Sequence, residues 1–233
     1  MIVFNDTYKF CEGDFDLNDN LKASSILDLF QTVASVHARE GGFGFDEMIA
    51  RNIAWVITKI KFDCYAPIKV NQPIFVESIP QPKGLADYVR DHYLYDENGN
   101  LIVKGSSQWV LIDFTTRRIV RPCVDFVGEF STKKAYENRR IEKVEPTTAV
   151  YHYDYPVRAI DIDHNGHLNN IRYADIVFNC ENATKPIKRF IINFINEAKL
   201  GQTLACYGDG EKTYSAFIED KPCFSAFIER EDF

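Results

Sequence analysis

No stretch of this sequence approaches the roughly 18 consecutive apolar residues that a helix needs to cross a bilayer. Its first residues, Met1-Ile2-Val3-Phe4-Asn5-Asp6, have neither the basic start nor the apolar run of a secretory signal, and they are not an Arg- and Ser-rich transit sequence. These two lacks lead to the expectation of a mature, soluble, cytoplasmic protein. Cysteine pairs are missing as well: the six cysteines, at 11, 64, 123, 180, 206 and 223, form no CxxC. That spacing argues against a zinc site or a small disulfide framework and for buried, reduced thiols. Positive charge is in deficit, with 27 Lys and Arg against 34 Asp and Glu and a formal net charge of −7, which disfavours nucleic acid as a general partner. Apolar residues are plentiful at 45%, ample for a buried core.

The charge is uneven. Between Arg117 and Lys143 eight basic residues face four acids, so this segment is +4 and the remainder −11. Such a run is either a solvated face or a docking patch for an acidic partner.

The chain uses one unit twice. Asp14-Phe15-Asp16-Leu17-Asn18-Asp19-Asn20-Leu21 and Asp161-Ile162-Asp163-His164-Asn165-Gly166-His167-Leu168 share D-x-D-x-N-x-x-L at an offset of 147. Each is followed by a helical apolar pattern: Ile26, Leu27, Leu29, Phe30, Val33 and Val36 in the first, Ile171, Tyr173, Ala174, Ile176 and Val177 in the second. Strand-like alternation comes next, at 55–62 and 72–76 in the first copy and at 190–194 and 202–206 in the second. Residues 88–95 and 101–114 flank an Asn98-Gly99 turn, and a smaller meander turns at Asp209-Gly210 and at 219–222. Both copies therefore read as strand, loop, helix and an antiparallel meander. A sheet apolar on one face must be covered, and one long helix is the cover available. The expected fold is α+β, two tandem hot-dog domains, each a sheet wrapped round one helix. The division is 1–117, a polar linker at 118–148 with a helix possible near 132–142, and 149–233.

The loop at 161–168 begins like a calcium loop, D-x-D-x-N-G, but the twelfth position, where a bidentate Glu is required, is Arg172. The first copy fails too, with Asp19 for the Gly and Ser25 for the Glu, so no metal is expected. Helix capping by Asn169 or Asn170 accounts for one residue of the loop and not for Asp163, Asn165 and His167 together. His167 stands where the first copy has Asn20, so only the second loop carries an imidazole, the usual proton carrier near neutral pH.

The run from Asp161 to Tyr173 closely resembles the D-x-D-x-N-x-H-x-N-N-x-x-Y motif of acyl-ACP thioesterases. Ala54-Trp55-Val56-Ile57, the stretch from Ser106 to Asp113, and Thr116-Arg117-Arg118 look like the same family, so the resemblance spans nearly the whole chain. It implies hydrolysis of fatty acyl-acyl carrier protein (ACP) to free fatty acid, without metal or organic cofactor. It also implies catalytic roles for Asp163, Asn165 and His167. A further catalytic Glu, on the strand after the helix and next to a Cys, falls on Glu197; the neighbour here is Ala198, which rules out a cysteine nucleophile at that place.

On this reading Glu197 or Asp163 deprotonates a water that Asn165 and His167 help to hold, and the backbone N–H groups of Gly166, His167 and Leu168 receive the oxyanion. Phe30, Val33, Val36, Phe43 and Phe45 are the candidate acyl pocket, each equally readable as core. Arg117, Arg118, Arg121, Lys133, Lys134, Arg139 and Arg140 are candidates for docking the acidic carrier. The rivals are a hot-dog acyl-CoA thioesterase, a non-catalytic acyl-carrier-binding protein, and a hot-dog dehydratase or hydratase. The last typically has a Pro in the loop, and none occurs between Asp161 and Tyr173. Chain length, saturation, the choice of ACP or CoA, and monomer against homodimer stay open.

Overall fold

In the computed structural model, which describes residues 2–181 and 184–233, β1 (Phe4–Tyr8) leads through a loop to α1 (Ala23–Glu40) and the short α2 (Phe45–Ala50). There follow β2 (Ile53–Cys64), β3 (Ile74–Pro80), β4 (Tyr88–Tyr95), β5 (Leu101–Asp113) and β6 (Ile119–Val120). The second half repeats the plan on a smaller scale: β7 (Val150–Pro156), α3 (Asn170–Cys180), β8 (Ile187–Phe194), β9 (Thr203–Gly208), β10 (Thr213–Ile218) and β11 (Lys221–Arg230). All pairings are antiparallel, in the order β1-β3-β4-β5-β2-β8-β11-β10-β9-β7, with β6 added on β5. The halves join where β2 meets β8, Ile60 opposite Ile192 and Phe62 opposite Phe190. This is the expected tandem hot-dog fold.

Each helix is set by its apolar spacing. Ile26, Leu27, Phe30, Val33 and Ala34 recur at helical intervals and are buried against the sheet, and Tyr173, Ala174, Ile176 and Val177 do the same in α3. Phe30 ties α1 down: its ring stacks on His92 at 4.1 Å between centroids and meets Phe62 edge-on. That ring also needs Gly105 on β5, since a Cβ there would lie 2.4 Å from Phe30 Cε2 and 2.7 Å from the Lys61 carbonyl oxygen. Gly105→Ala should therefore destabilise the fold by about 1–3 kcal/mol, the usual cost of overpacking; a lower urea midpoint checks this, and an unchanged one contradicts it.

One expectation for the linker needs correcting. Residues 132–142 are irregular rather than helical. Their backbone groups are satisfied by sheet side chains: Gln81 Nε2 donates to the Lys133 carbonyl, the Ala135 amide to Asp91 Oδ2, and Lys59 Nζ to the Ile141 carbonyl. Tertiary partners here override local helix propensity. The segment also packs onto the rest of the chain, with its own Val124, Ala135 and Ile141 buried. The six-residue α2 is an element that the sequence-based expectation does not contain.

Candidate active site

The repeat is legible atom by atom. In both copies a 3-10 turn (Glu12–Asp14, Ala159–Asp161) precedes the loop, and an isolated bridge closes it, Phe15 to Leu21 and Ile162 to Leu168. Asp16 Oδ1 accepts the amides of Asn18 (2.8 Å) and Asn20 (3.0 Å). Asp163 Oδ1 likewise accepts those of Asn165 (2.8 Å) and His167 (3.3 Å). This is an Asx turn, in which a short carboxylate satisfies its own loop. Position 19 or 166 takes a left-handed conformation (Asp19 φ 60°, Gly166 φ 80°), which Gly adopts without steric cost. The loop then feeds the helix, where Asn169 Oδ1 caps the Ile171 amide at 3.1 Å; the matching first-copy residue, Lys22, has no side-chain cap. At the twelfth calcium position, Arg172 Nη1 bonds Asp175 Oδ2 at 3.1 Å.

Where the copies differ, the second gains a contact. His167 Nε2 lies 3.0 Å from Glu197 Oε2, with the imidazole largely buried and the carboxylate about half exposed. Glu197 sits in the loop three residues past the end of β8, not on the strand as expected. That loop is held on both sides of it. Asn196 Nδ2 donates to the Pro222 carbonyl at 2.8 Å, the Ala198 amide to Tyr173 Oη at 3.2 Å, and the Leu168 amide to the Ala198 carbonyl at 2.8 Å.

The other Glu197 oxygen, Oε1, is paired with Arg117 Nη2. Arg117 comes from the first half, on the tight β5–β6 hairpin, where it too is left-handed at φ 59°. Such a conformation costs a non-glycine residue about 1–3 kcal/mol and persists where surrounding contacts impose it. Here Asp113 imposes it: its carbonyl accepts the Arg117 amide at 2.8 Å, and its carboxylate takes the Thr116 amide and Asn52 Nδ2. The Thr116 amide, the largest influence, holds the Asp113 carboxyl below the usual carboxylate range. Glu197 thus bridges an imidazole of the second half and a guanidinium of the first.

Several predicted site residues fall elsewhere. The three proposed oxyanion amides are already used: Gly166 N–H on the Asp163 carbonyl, His167 N–H on Asp163 Oδ1, Leu168 N–H on the Ala198 carbonyl. The amide of Asn170, the first residue of α3, has no acceptor among the described residues, and its side chain reaches Gln31 Oε1 on α1 at 3.3 Å. Asn165 is exposed at the loop tip and bonds Asp163 Oδ2 at 3.4 Å.

The apolar candidates are also redistributed. A cavity with about 480 Å³ of empty space, its open mouth included, lies between α1 and strands β2–β5. From α1 it is lined by Ala34, Ser35 and Ala38. Phe30 and Val33 are fully packed core instead, at 0% and 3% exposed, and Val36 is half-buried off the wall. Phe43 backs the wall against Phe126, and Phe45 lies edge-on to His164 at 4.7 Å, beside the loop at 161–168.

Of the basic residues, Arg117 is committed to Glu197, Lys133 to Glu77 and Tyr95, and Arg139 to Asp87. Arg118, Arg121, Lys134 and Arg140 are exposed, with no ion pair among the described residues. Among the described residues no group of His, Cys, Asp and Glu is placed to hold a metal, and no helix is long and apolar enough to cross a membrane.

Two joined hot dogs, with an acid–imidazole pair just before α3, define a tandem hot-dog protein with one candidate acid–base site. Residues 1–130 match the acyl-ACP thioesterase N-terminal domain and residues 144–220 the acyl-ACP thioesterase C-terminal domain; the chain belongs to the acyl-ACP thioesterase family. It is 24% identical over 187 residues to a chloroplastic palmitoyl-acyl carrier protein thioesterase of Arabidopsis thaliana, covering 74% of this chain and 45% of the relative. To the chloroplastic oleoyl-acyl carrier protein thioesterase 1 of the same plant it is 26% identical over 186 residues, covering 71% and 51%. The chain thus spans about half the length of the curated relatives it matches. The crystal structure of an acyl-ACP thioesterase from Bacteroides thetaiotaomicron superposes with a TM-score of 0.90 at 19% identity, covering 99% of this chain and 98% of that one. The 12:0-ACP thioesterase from Umbellularia californica gives 0.80 at 19% identity, with 99% and 98% covered. These likenesses establish the fold.

Proposed function

We propose that this chain hydrolyses the thioester of fatty acyl-ACP to free fatty acid and carrier thiol, ending chain elongation in the cytoplasm. One observation carries the reading: the His167–Glu197 pair exists in one copy of a duplicated loop only. At the offset of 130 that relates Gln72 to Gln202, Glu197 falls on Pro67, and His167 falls on Asn20 at the offset of 147. The register is physical, since the Lys69 amide bonds Gln72 Oε1 and the Lys199 amide bonds Gln202 Oε1 in the same way. What both copies keep, Asp16/Asp163 and Asn18/Asn165, builds the loop. What only one copy has does chemistry.

Glu197 accepts Nε2–H of His167 and so leaves the Nδ1 lone pair to take a proton from water. Arg117 fixes Glu197, and Asp163 and Asn165 hold the loop. Water adds to the thioester carbon, the oxyanion is met by the Asn170 amide at the start of α3, and the proton on His167 passes to the departing sulfur as the C–S bond breaks. The carboxylate role proposed for Asp163 thereby becomes one of support.

Residues 149–233 are the catalytic half, residues 1–117 supply Arg117 and most of the chain-binding cavity, and residues 118–148 connect them and add Phe126 to its wall. The carrier docks on the exposed Arg118, Arg121, Lys134 and Arg140. Thiol release from acyl-ACP should therefore have a kcat/KM that falls several-fold as ionic strength rises from ~0.01 to ~0.5 M, because the Debye length shrinks from about 30 Å to below 8 Å. A salt-independent kcat/KM contradicts the docking surface; no thiol release contradicts the hydrolase.

A further inference from the structure

The aromatic walls of the cavity spend their polar groups on the protein. Trp55 Nε1 donates to the Phe43 carbonyl (3.1 Å), Trp109 Nε1 to Ser107 Oγ (2.9 Å) and Tyr88 Oη to the Val124 carbonyl (3.2 Å). Arg90, on β4, is different. It lines the same cavity and is only 5% exposed, yet it has no ion pair among the described residues. Its Nη1 meets His37 Nδ1 at 2.8 Å and Ser78 Oγ at 3.2 Å, while Nε and Nη2 have no partner among the described residues.

Neither neighbour supplies negative charge. A guanidinium only donates, so His37 Nδ1 must accept and the imidazole is neutral. Burial, and secondarily Arg90 itself, hold the His37 pKa down to about 4. Asp91 follows directly in sequence but turns to the opposite face of the sheet, where it takes the Ser106 hydroxyl and the Ala135 amide. The ring of Phe126, 5.8 Å away, offers a cation–π contact and no charge.

A buried cation without a counter-charge is costly, and a carboxylate brought to it is bound by charge-assisted, often bidentate hydrogen bonds. The position of Arg90 says which part of a ligand it would meet. Arg90 pairs with Ser107 on β5, six residues before Asp113, or ~20 Å of strand from the turn that carries Arg117. We propose that the cavity takes an acyl chain bearing an oxygen acceptor, most strongly a carboxylate, on the carbon that reaches Arg90 at the end remote from the thioester. The proposal rests on the hydrolase reading for its substrate and on Arg90 for its selectivity.

Acyl-ACPs of matched length ending in methyl, hydroxyl or carboxylate, offered to the wild-type chain over a range of lengths, test it. At the best length the carboxylate-ended thioester should exceed the methyl-ended one in kcat/KM by roughly 10- to 100-fold, the value of a charged hydrogen bond at about 1.4 kcal/mol per decade. Arg90→Met should erase that preference, and Arg90→Lys should keep part of it. Should Arg90→Met not fold, the wild-type series decides alone. If no thioester is cleaved, the hydrolase reading fails, and calorimetry with non-cleavable thioether analogues of the same chains decides the second question. Tighter binding of the carboxylate-ended analogue upholds the site. Equal kcat/KM, or equal affinity, for methyl and carboxylate ends at every length overturns it.

Discussion

Glu197→Gln should lower kcat for the proposed thioester hydrolysis by about 10²- to 10³-fold, within the range that acid–base catalysis supplies. The reason is a conflict of donors. Glu197 offers one oxygen to His167 Nε2 and the other to Arg117. A glutamine has one oxygen and one NH2 group, so whichever partner receives the NH2 faces a donor with a donor. The guanidinium cannot give up its proton, so the amide oxygen turns to Arg117 and His167 loses its acceptor and with it the productive tautomer. Relieving the conflict should restore part of the rate. The double variant Arg117→Met/Glu197→Gln, free to turn the amide oxygen to His167, should be faster than Glu197→Gln alone, a non-additivity expected of residues acting as one unit. Steady-state kcat for the four members of this cycle checks it; strictly additive losses would refute the bridge.

His167→Asn makes the second loop like the first, and it should cost about 10²- to 10⁴-fold in kcat. The first copy itself supplies the control for folding. Asn20 sits on the same Asx turn as His167, its amide bonded to Asp16 as that of His167 is bonded to Asp163. A loop with Asn at this place therefore closes without an imidazole, and stability should change by no more than about 1 kcal/mol. Thermal denaturation alongside kcat separates the two effects. Asn20→Ala, in the copy without the acid–imidazole pair, should leave kcat within about twofold, as a change remote from the chemistry does.

The duplication was readable because Asx turns, caps and helix faces are local devices whose residues lie within a turn of one another. Asp16 and Asp163 announce their loops for that reason, and so does the helical spacing from Ile26 to Val33. The Arg117–Glu197 pair was not readable. The two residues come from different halves and meet only because the β5–β6 hairpin and the loop after β8 lie together in the folded chain. A basic residue in a basic run reads as surface until its partner is in place.

The cavity eluded the sequence for another reason. Periodicity marks which face of α1 is buried, and Phe30, Val33, Ala34 and Ala38 all lie near it. It does not say where along that face the sheet closes on the helix and where it stands off. Large residues fill the closed part, and the small Ala34 and Ala38 border the space that is left. The helix expected at 132–142 failed because its backbone partners are Gln81, Asp91 and Lys59, residues that no local pattern reveals.

On the proposed mechanism one imidazole–carboxylate pair, with its imidazole in one copy of a twofold loop only, performs hydrolysis. Free-thiol release from acyl-ACP by the wild-type chain and by His167→Asn, measured side by side on folded protein, tests it most directly. Turnover by the wild type and a loss of at least about 10²-fold in the variant are expected. Comparable release by both proteins, or none by either, would contradict it.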